Sequence, residues 1–221
     1  MFDDGHQARN IGRAGLRSER KRKILDRAKR LCIEDRSLPM DGAETTEAYA
    51  RRREGWTMAT AHDVAAYILR QQGAMSAMKL QKIVYYAQAW HLVWDEEKLF
   101  SDPIEAWANG PVVYALFDRP RGRFEVSPPW SAGNPENLTQ DERETIDAVL
   151  FSYGSLSGRQ LSHLTHNEAP WREAREGLGP TDRSRRPISL DKMHQFYSAL
   201  DADQEAQPVE EIDWARQDAA S

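Results

Sequence analysis

Three side chains around position 165 have the types and the spacing that metal or acid–base chemistry requires. His163 and His166 stand three positions apart in the segment SHLTHNE, which places them on one face of a helix, and Glu168 follows closely. Imidazole and carboxylate groups bind zinc and transfer protons. A zinc site also needs a third and usually a fourth ligand, and neither HExxH nor CxxC accompanies this pair. The segment therefore favours a partly buried His166 bonded to backbone or to Glu168, with a metal-dependent enzyme as the alternative.

Other sequence signatures of catalysis are missing. No serine stands in a GxSxG elbow, and the single cysteine, Cys32, lies in a stretch whose composition differs from the rest. The glycines form neither GxGxxG nor the P-loop pattern, so a cradle for nucleotide phosphates is not indicated. We therefore expect no enzyme activity, no cofactor and no bound metal.

Charge is divided unevenly along the chain. Residues 1–57 hold 14 Lys and Arg against 10 Asp and Glu, whereas residues 58–221 hold 16 against 25. An acidic domain is a poor ligand for nucleic-acid phosphates, because that affinity depends on clustered cations. One cysteine excludes an internal disulfide, and no apolar run approaches the ~20 residues of a membrane span. These features predict a cytoplasmic protein without a membrane segment.

The element that must position the candidate residues is the stretch from Met78 to Trp94, MKLQKIVYYAQAWHLVW. Its apolar residues recur at three- and four-residue steps, and a second apolar face lies beside the first. The remaining polar strip is narrow and consists of Lys79, Gln81, Lys82 and Gln88. A helix that is apolar over most of its circumference must be covered on several sides. Residues 78–94 are therefore predicted to form a buried central helix, with Ser76 as its N-cap.

Shorter elements are predicted around this helix. Capping boxes indicate three helix starts, at Thr60–Asp63, Thr139–Glu142 and Ser157–Gln160. Ser189 caps a last helix, and a minor β element, a small hairpin or tight loop, is expected near residues 99–107. Pro111, which follows a turn at Asn109-Gly110, is interpreted as the first residue of another helix. The predicted fold is mainly α, a compact helical bundle around residues 78–94.

Composition predicts three regions. Residues 1–57 contain the basic run RSERKRKILDRAKR and lack a core-forming period, which predicts a disordered leader. A basic arm that binds DNA or a protein partner is the alternative.

We also hypothesise that this leader is largely over-called and not translated. Met58 begins MATAHDVAAYIL like a natural start, and Arg53-Glu54-Gly55 is encodable by a purine run resembling a ribosome-binding site. Residues 58–200 are the expected domain, and residues 201–221 an acidic mobile tail.

Three motifs, in order, resemble the Panacea domain, the SocA-like antitoxin family. They are MKLQKIVYYAQAWHLVW, LFSDPIEAWANGPVVYALF and LSHLTHNEAPWREAR, and the likeness extends from about Asp63 to Leu200. The family pattern falls on Lys79 to Lys82, Tyr85-Tyr86, Gly110 to Val112, Thr165-His166 and Pro170-Trp171. The chain departs from the family after its Gly-Pro-Val turn, where Tyr114-Ala115 replaces the usual Pro and acidic residue.

The resemblance implies a mainly helical antitoxin that neutralises a cognate protein toxin, encoded by the adjacent gene, through direct binding. One branch of the family implies an alternative, an adaptor that delivers the toxin to a Clp-type protease. An acidic surface would steer a basic toxin and screen it from an anionic target. The hypothesised partner-binding residues are Lys79, Lys82, Trp107, Asn109, Gly110, Pro111, Val113, His166, Glu168 and Trp171.

Overall fold

Helices dominate the part of the chain that this computed structural model describes, residues 58–118 and 124–206, with side chains up to residue 202. The α-helices are α1 (Ala61–Gln72), α2 (Ala77–Trp94), α3 (Tyr114–Asp118), α4 (Gln140–Tyr153), α5 (Gly158–Asn167), α6 (Ala169–Ala174) and α7 (Leu190–Ala206). The strands are β1 (Met75–Ser76), β2 (Ile104–Trp107), β3 (Gly110–Val113) and β4 (Glu125–Val126), and residues Pro135–Asn137 form a 3₁₀ turn. The predicted mainly α class with minor β structure is confirmed.

Helix α2 is the centre of the fold, as its apolar circumference predicts. Every side chain from Leu80 to Trp94 is buried, and α4, α5, α7 and β3 all pack against this helix. Ser76 is its N-cap, with the side-chain oxygen accepting the backbone N–H of Lys79 at 3.2 Å. Burial of a continuous apolar helix removes a large apolar area from water, which is the main favourable term in folding. The predicted central helix is therefore confirmed.

The capping boxes begin helices where the sequence predicts them. Thr60, Thr139 and Ser157 each accept the backbone N–H of the residue three positions on, and each donates its own backbone N–H to the side chain of that residue. These reciprocal bonds satisfy two backbone groups that a helix start otherwise leaves unpaired. The starts of α1, α4 and α5 are thereby fixed by local chemistry.

The β structure differs from the predicted arrangement. Strand β2 lies within residues 99–107, but its partner is β3, with Ile104 opposite Val113 and Trp107 opposite Gly110. The interpretation of Pro111 as the start of a helix is wrong, because residues 110–113 are extended and α3 begins only at Tyr114. Antiparallel pairing with β2 explains why these residues extend. A second small sheet pairs β1 with β4.

The last helix runs past the predicted boundary at Leu200 and ends at Ala206. Asp201 is buried within it and accepts the indole N–H of Trp94 at 3.5 Å. The predictions for residues 1–57 and 207–221 fall outside the described residues. No helix of the described part has the length and apolar character to cross a membrane.

Candidate partner-binding surface

The turn between β2 and β3 is held by side chains from α5 and from the α6 region. Ser162 donates its hydroxyl to the carbonyl of Asn109 at 3.0 Å, and the Trp171 indole donates to the carbonyl of Trp107 at 2.9 Å. Arg175 donates to the carbonyl of Ala106, also at 3.0 Å. Each of these donors bonds a backbone carbonyl of the hairpin. The three bonds therefore fix the hairpin turn against the helical core.

Lys82 lies beneath this turn, with only 1% of its surface exposed. Its Nζ donates to the carbonyl of Pro111 at 2.9 Å, and Gly110 lies so close that an added Cβ would be 2.7 Å from Lys82 Cε. Burial lowers the pKa of Lys82 to about 7, because the charged amine loses its hydration. Gly110 also has a φ of +96°, a backbone conformation that favours glycine.

A groove of about 690 Å³ opens beside the turn. Its walls come from the start of α2, the turn residues Trp107 to Asn109, α3 and the loop residues 183–185. Lys82 forms part of its lining, and most of the rest is apolar, including Met78, Leu116 and Phe117. A mostly apolar groove with a few polar groups is the usual form of a binding site.

Glu168 faces the opposite way, into the helical core. Its carboxylate accepts hydrogen bonds from the hydroxyls of Tyr197 (2.7 Å), Tyr86 (2.8 Å) and Tyr85 (3.2 Å). Burial raises the pKa of each of these tyrosines, so their hydroxyls stay protonated and act as donors. Burial also raises the pKa of the Glu168 carboxyl, against the effect of the three hydroxyls. The residue thus joins α2 to α7 at the start of α6.

The triad of His163, His166 and Glu168 does not form the metal site that the sequence left open. His163 is exposed, the His166 ring stacks on Trp171 with centroids 4.2 Å apart, and Glu168 is engaged by tyrosines. Burial and the nearby Lys82 amine lower the pKa of His166, and a backbone hydrogen bond with Ala108 opposes this. Within residues 58–118 and 124–206, no group of three or more His, Cys, Asp or Glu is arranged to hold a metal ion.

The segment that carries the turn, the groove floor and the Glu168 cluster matches a known family. The family model described as Antitoxin SocA-like, Panacea domain covers residues 80–172, from α2 to α6. Residues 80–172 are therefore similar to that family. The resemblance of the three sequence motifs is therefore confirmed. Comparison with curated proteins gave no match, and comparison with solved structures gave none either.

The predicted partner-binding residues are divided between surface and interior. Asn109 is exposed, and Lys79, Trp107, His166, Glu168 and Trp171 are partly buried, with the Glu168 carboxylate directed inward as described above. Lys82, Gly110, Pro111 and Val113 are buried. Along the polar strip of α2, Lys82 lies under the hairpin turn and is reached only through the groove that it lines. Lys79 extends to the carbonyl of Gly154 at 2.6 Å.

Two glutamines of the same strip have structural roles that the sequence reasoning missed. Gln81 pairs with the backbone N–H and carbonyl of Val113, at 2.8 and 3.1 Å, and so holds β3 against α2. Gln88 accepts the backbone N–H groups of Leu99 and Phe100. A glutamine on an otherwise apolar helix could have indicated this role, because its amide offers both a donor and an acceptor to buried backbone groups. The groove residues Phe117, Arg183 and Arg185 gave no comparable signal.

Proposed function

We propose that this chain neutralises a cognate protein toxin in the cytoplasm by binding it in a stoichiometric complex. The match of residues 80–172 to an antitoxin family carries this proposal. That family implies a toxin partner, and the adjacent gene is the expected source. Binding alone accounts for neutralisation, so no catalytic group is required of this chain.

Two physical features support a protein partner. Residues 58–221 hold nine more acidic than basic side chains, a charge that would speed encounter with a basic toxin and screen it from RNA or DNA. The exposed large apolar residues include Met78, Phe117 and Phe124, of which the first two line the groove. Exposed apolar patches of this kind mark interaction surfaces.

Co-expression with the adjacent open reading frame tests the proposal. The neighbouring product is expected to stop growth when expressed alone and to be tolerated when this chain is present. The two proteins should also co-purify in a fixed ratio. A neighbour that is harmless alone, or that does not bind, would contradict the proposal.

Toxin abundance separates sequestration from the adaptor mechanism. A sequestered toxin keeps its level when this chain is co-expressed, because binding alone silences it. Delivery to a Clp-type protease would instead lower the toxin level, and deleting the protease would restore it. Immunoblots in protease-positive and protease-negative strains make this measurement.

A further inference from the structure

The groove beside the hairpin turn continues onto an exposed apolar surface. Phe117 is 38% and Met78 is 37% exposed, and both line the groove. Phe124 is 83% exposed, and its carbonyl accepts the N–H of Ala77, another lining residue. A small molecule in the groove would leave this adjoining apolar surface in water. A protein segment would cover both, because its side chains extend on either side of the one that enters the groove.

The ionisable side chains that line the groove are all basic. They are Lys82 at the floor and Arg183 and Arg185 at the rim, and no lining residue is acidic among those described. Glu105 accepts the Trp107 indole N–H at 2.6 Å but does not line the groove. This cationic lining stands out on a domain whose overall charge is negative. The buried Lys82 amine donates to a neutral carbonyl, that of Pro111, and a carboxylate placed beside the amine would stabilise its charged form.

We infer that the groove is the docking site for a toxin segment that inserts an apolar side chain and presents a carboxylate to Lys82, Arg183 and Arg185. This inference rests on the proposed function and adds the chemistry of the contact. The toxin's basic surface provides long-range attraction to the acidic domain, whereas the acidic, apolar segment provides the local contact. The two charge effects act at different distances and do not conflict.

Calorimetry with the product of the adjacent gene tests the inference on the full chain. Reversing the rim charges with Arg183→Glu and Arg185→Glu together is expected to weaken binding by about tenfold or more, because two attractive contacts become repulsive. Lys82→Met, which keeps the length of the side chain, is expected to weaken binding to a similar extent. The matched control is Lys98→Glu with Arg159→Glu, two exposed cations outside the groove, and it should bind like the unchanged chain.

A charge-swap experiment then tests for the carboxylate. Hydrogen exchange on the complex identifies the toxin segment that is protected together with the hairpin turn and residues 183–185. Changing an Asp or Glu of that segment to Lys should weaken binding to the unchanged chain and restore binding to the Arg183→Glu, Arg185→Glu variant. A protected segment without a carboxylate overturns the inference.

The remaining outcomes are separable. If the unchanged chain binds the toxin and both groove variants bind within twofold of it, the inference fails and the proposed function stands. If the unchanged chain does not bind, both fail. If removing residues 207–221 from the free chain speeds exchange in the groove, the chain's own acidic tail is the occupant. If the rim variant dissociates a dimer of the unchanged chain, a second copy is the occupant. Either result also overturns the inference.

Discussion

The burial of Lys82 depends on residues that are distant in sequence. A lysine in the second turn of a helix, beside Gln81, is expected to face water. Only the packing of the hairpin turn above α2 makes it a buried side chain. That packing depends on residues more than 25 positions away in sequence, since Nζ donates to Pro111. The sequence pattern therefore predicted the position of Lys82 on α2 but not its burial under the hairpin turn.

The buried amine predicts a pH-dependent difference between Lys82→Met and the unchanged chain. In the unfolded chain an ordinary lysine stays protonated up to about pH 10.5, whereas the folded pKa is about 7. Between these values the unfolded state binds more protons, so the folded chain gains stability as pH rises. Below about pH 7 the buried charge imposes its full cost. We expect Lys82→Met to be the more stable protein at about pH 6 and to lose this advantage by about pH 10.

Urea unfolding at several pH values measures that difference. At high pH the amine is neutral in the folded chain, and the variant still lacks the donor to the Pro111 carbonyl, so it should then be equal or slightly less stable. Comparing the two proteins at each pH cancels the titration of groups that Lys82 does not affect. The Lys82 amine helps to lower the pKa of His166, so that pKa is expected to rise in the variant. A stability difference that does not change with pH would contradict the prediction.

Replacing Glu168 is expected to lower the free energy of unfolding more than a typical single substitution does. Glu168→Ala removes the common acceptor of three tyrosine hydroxyls, and each hydroxyl left unpaired in the core costs about 1 kcal/mol or more. We expect a loss of about 3 kcal/mol in the free energy of unfolding at pH 7. Tyr85→Phe, which removes only the longest of the three bonds, should cost less than about 1 kcal/mol. Similar losses in the two variants would show that the carboxylate is not the organising group.

Among the elements, the helix starts could be predicted from sequence and the hairpin could not. A capping box is complete within four residues. The boxes that begin at Thr60, Thr139 and Ser157 could therefore be recognised from local sequence alone. Strand β3 depends instead on pairing with β2 and on Gln81 of α2. The sequence Gly-Pro-Val-Val fits a helix start or an extended strand equally well locally, and the distant contacts decide between them.

The close approach of β3 to α2 predicts a specific intolerance at Gly110. Gly110→Ala adds a methyl group 2.7 to 2.8 Å from Lys82 and Thr165 atoms at a φ of +96°. Gly177→Ala is the matched control, because Gly177 has a φ of +79° but nothing within 4 Å of the added Cβ. We expect about 1 kcal/mol of destabilisation at Gly177 from backbone strain alone, and about 2 to 3 kcal/mol at Gly110. Thermal unfolding measures both, and equal losses would contradict the packing argument.

At the scale of the whole molecule, the buried core of the described residues extends from Ala59 to Asp201. Ala59 at one end and Asp201 at the other are both buried, and the side chains between them form one continuous apolar cluster. The expected domain boundaries rest on the helix signals, which begin at Thr60, and on the apolar periodicity, which stops near Leu200. The shape of the groove could not be predicted, because separate segments of the chain assemble it, although the predicted Lys82, Trp107 and Asn109 are among its lining residues.

Because the described core lies within residues 58–206, we predict that this fragment folds and neutralises the toxin without the rest of the chain. The residues that line the groove all lie between Ala77 and Arg185. The fragment therefore keeps both the apolar lining and the basic residues of the proposed contact. Co-expression of this fragment with the adjacent gene should restore growth as well as the full chain does, with a thermal midpoint within a few degrees. The fragment carrying Arg183→Glu and Arg185→Glu is the control and should fold but protect less. A fragment that melts like the full chain yet fails to protect would place an essential contact in residues 1–57 or 207–221, where the basic run and the acidic tail lie.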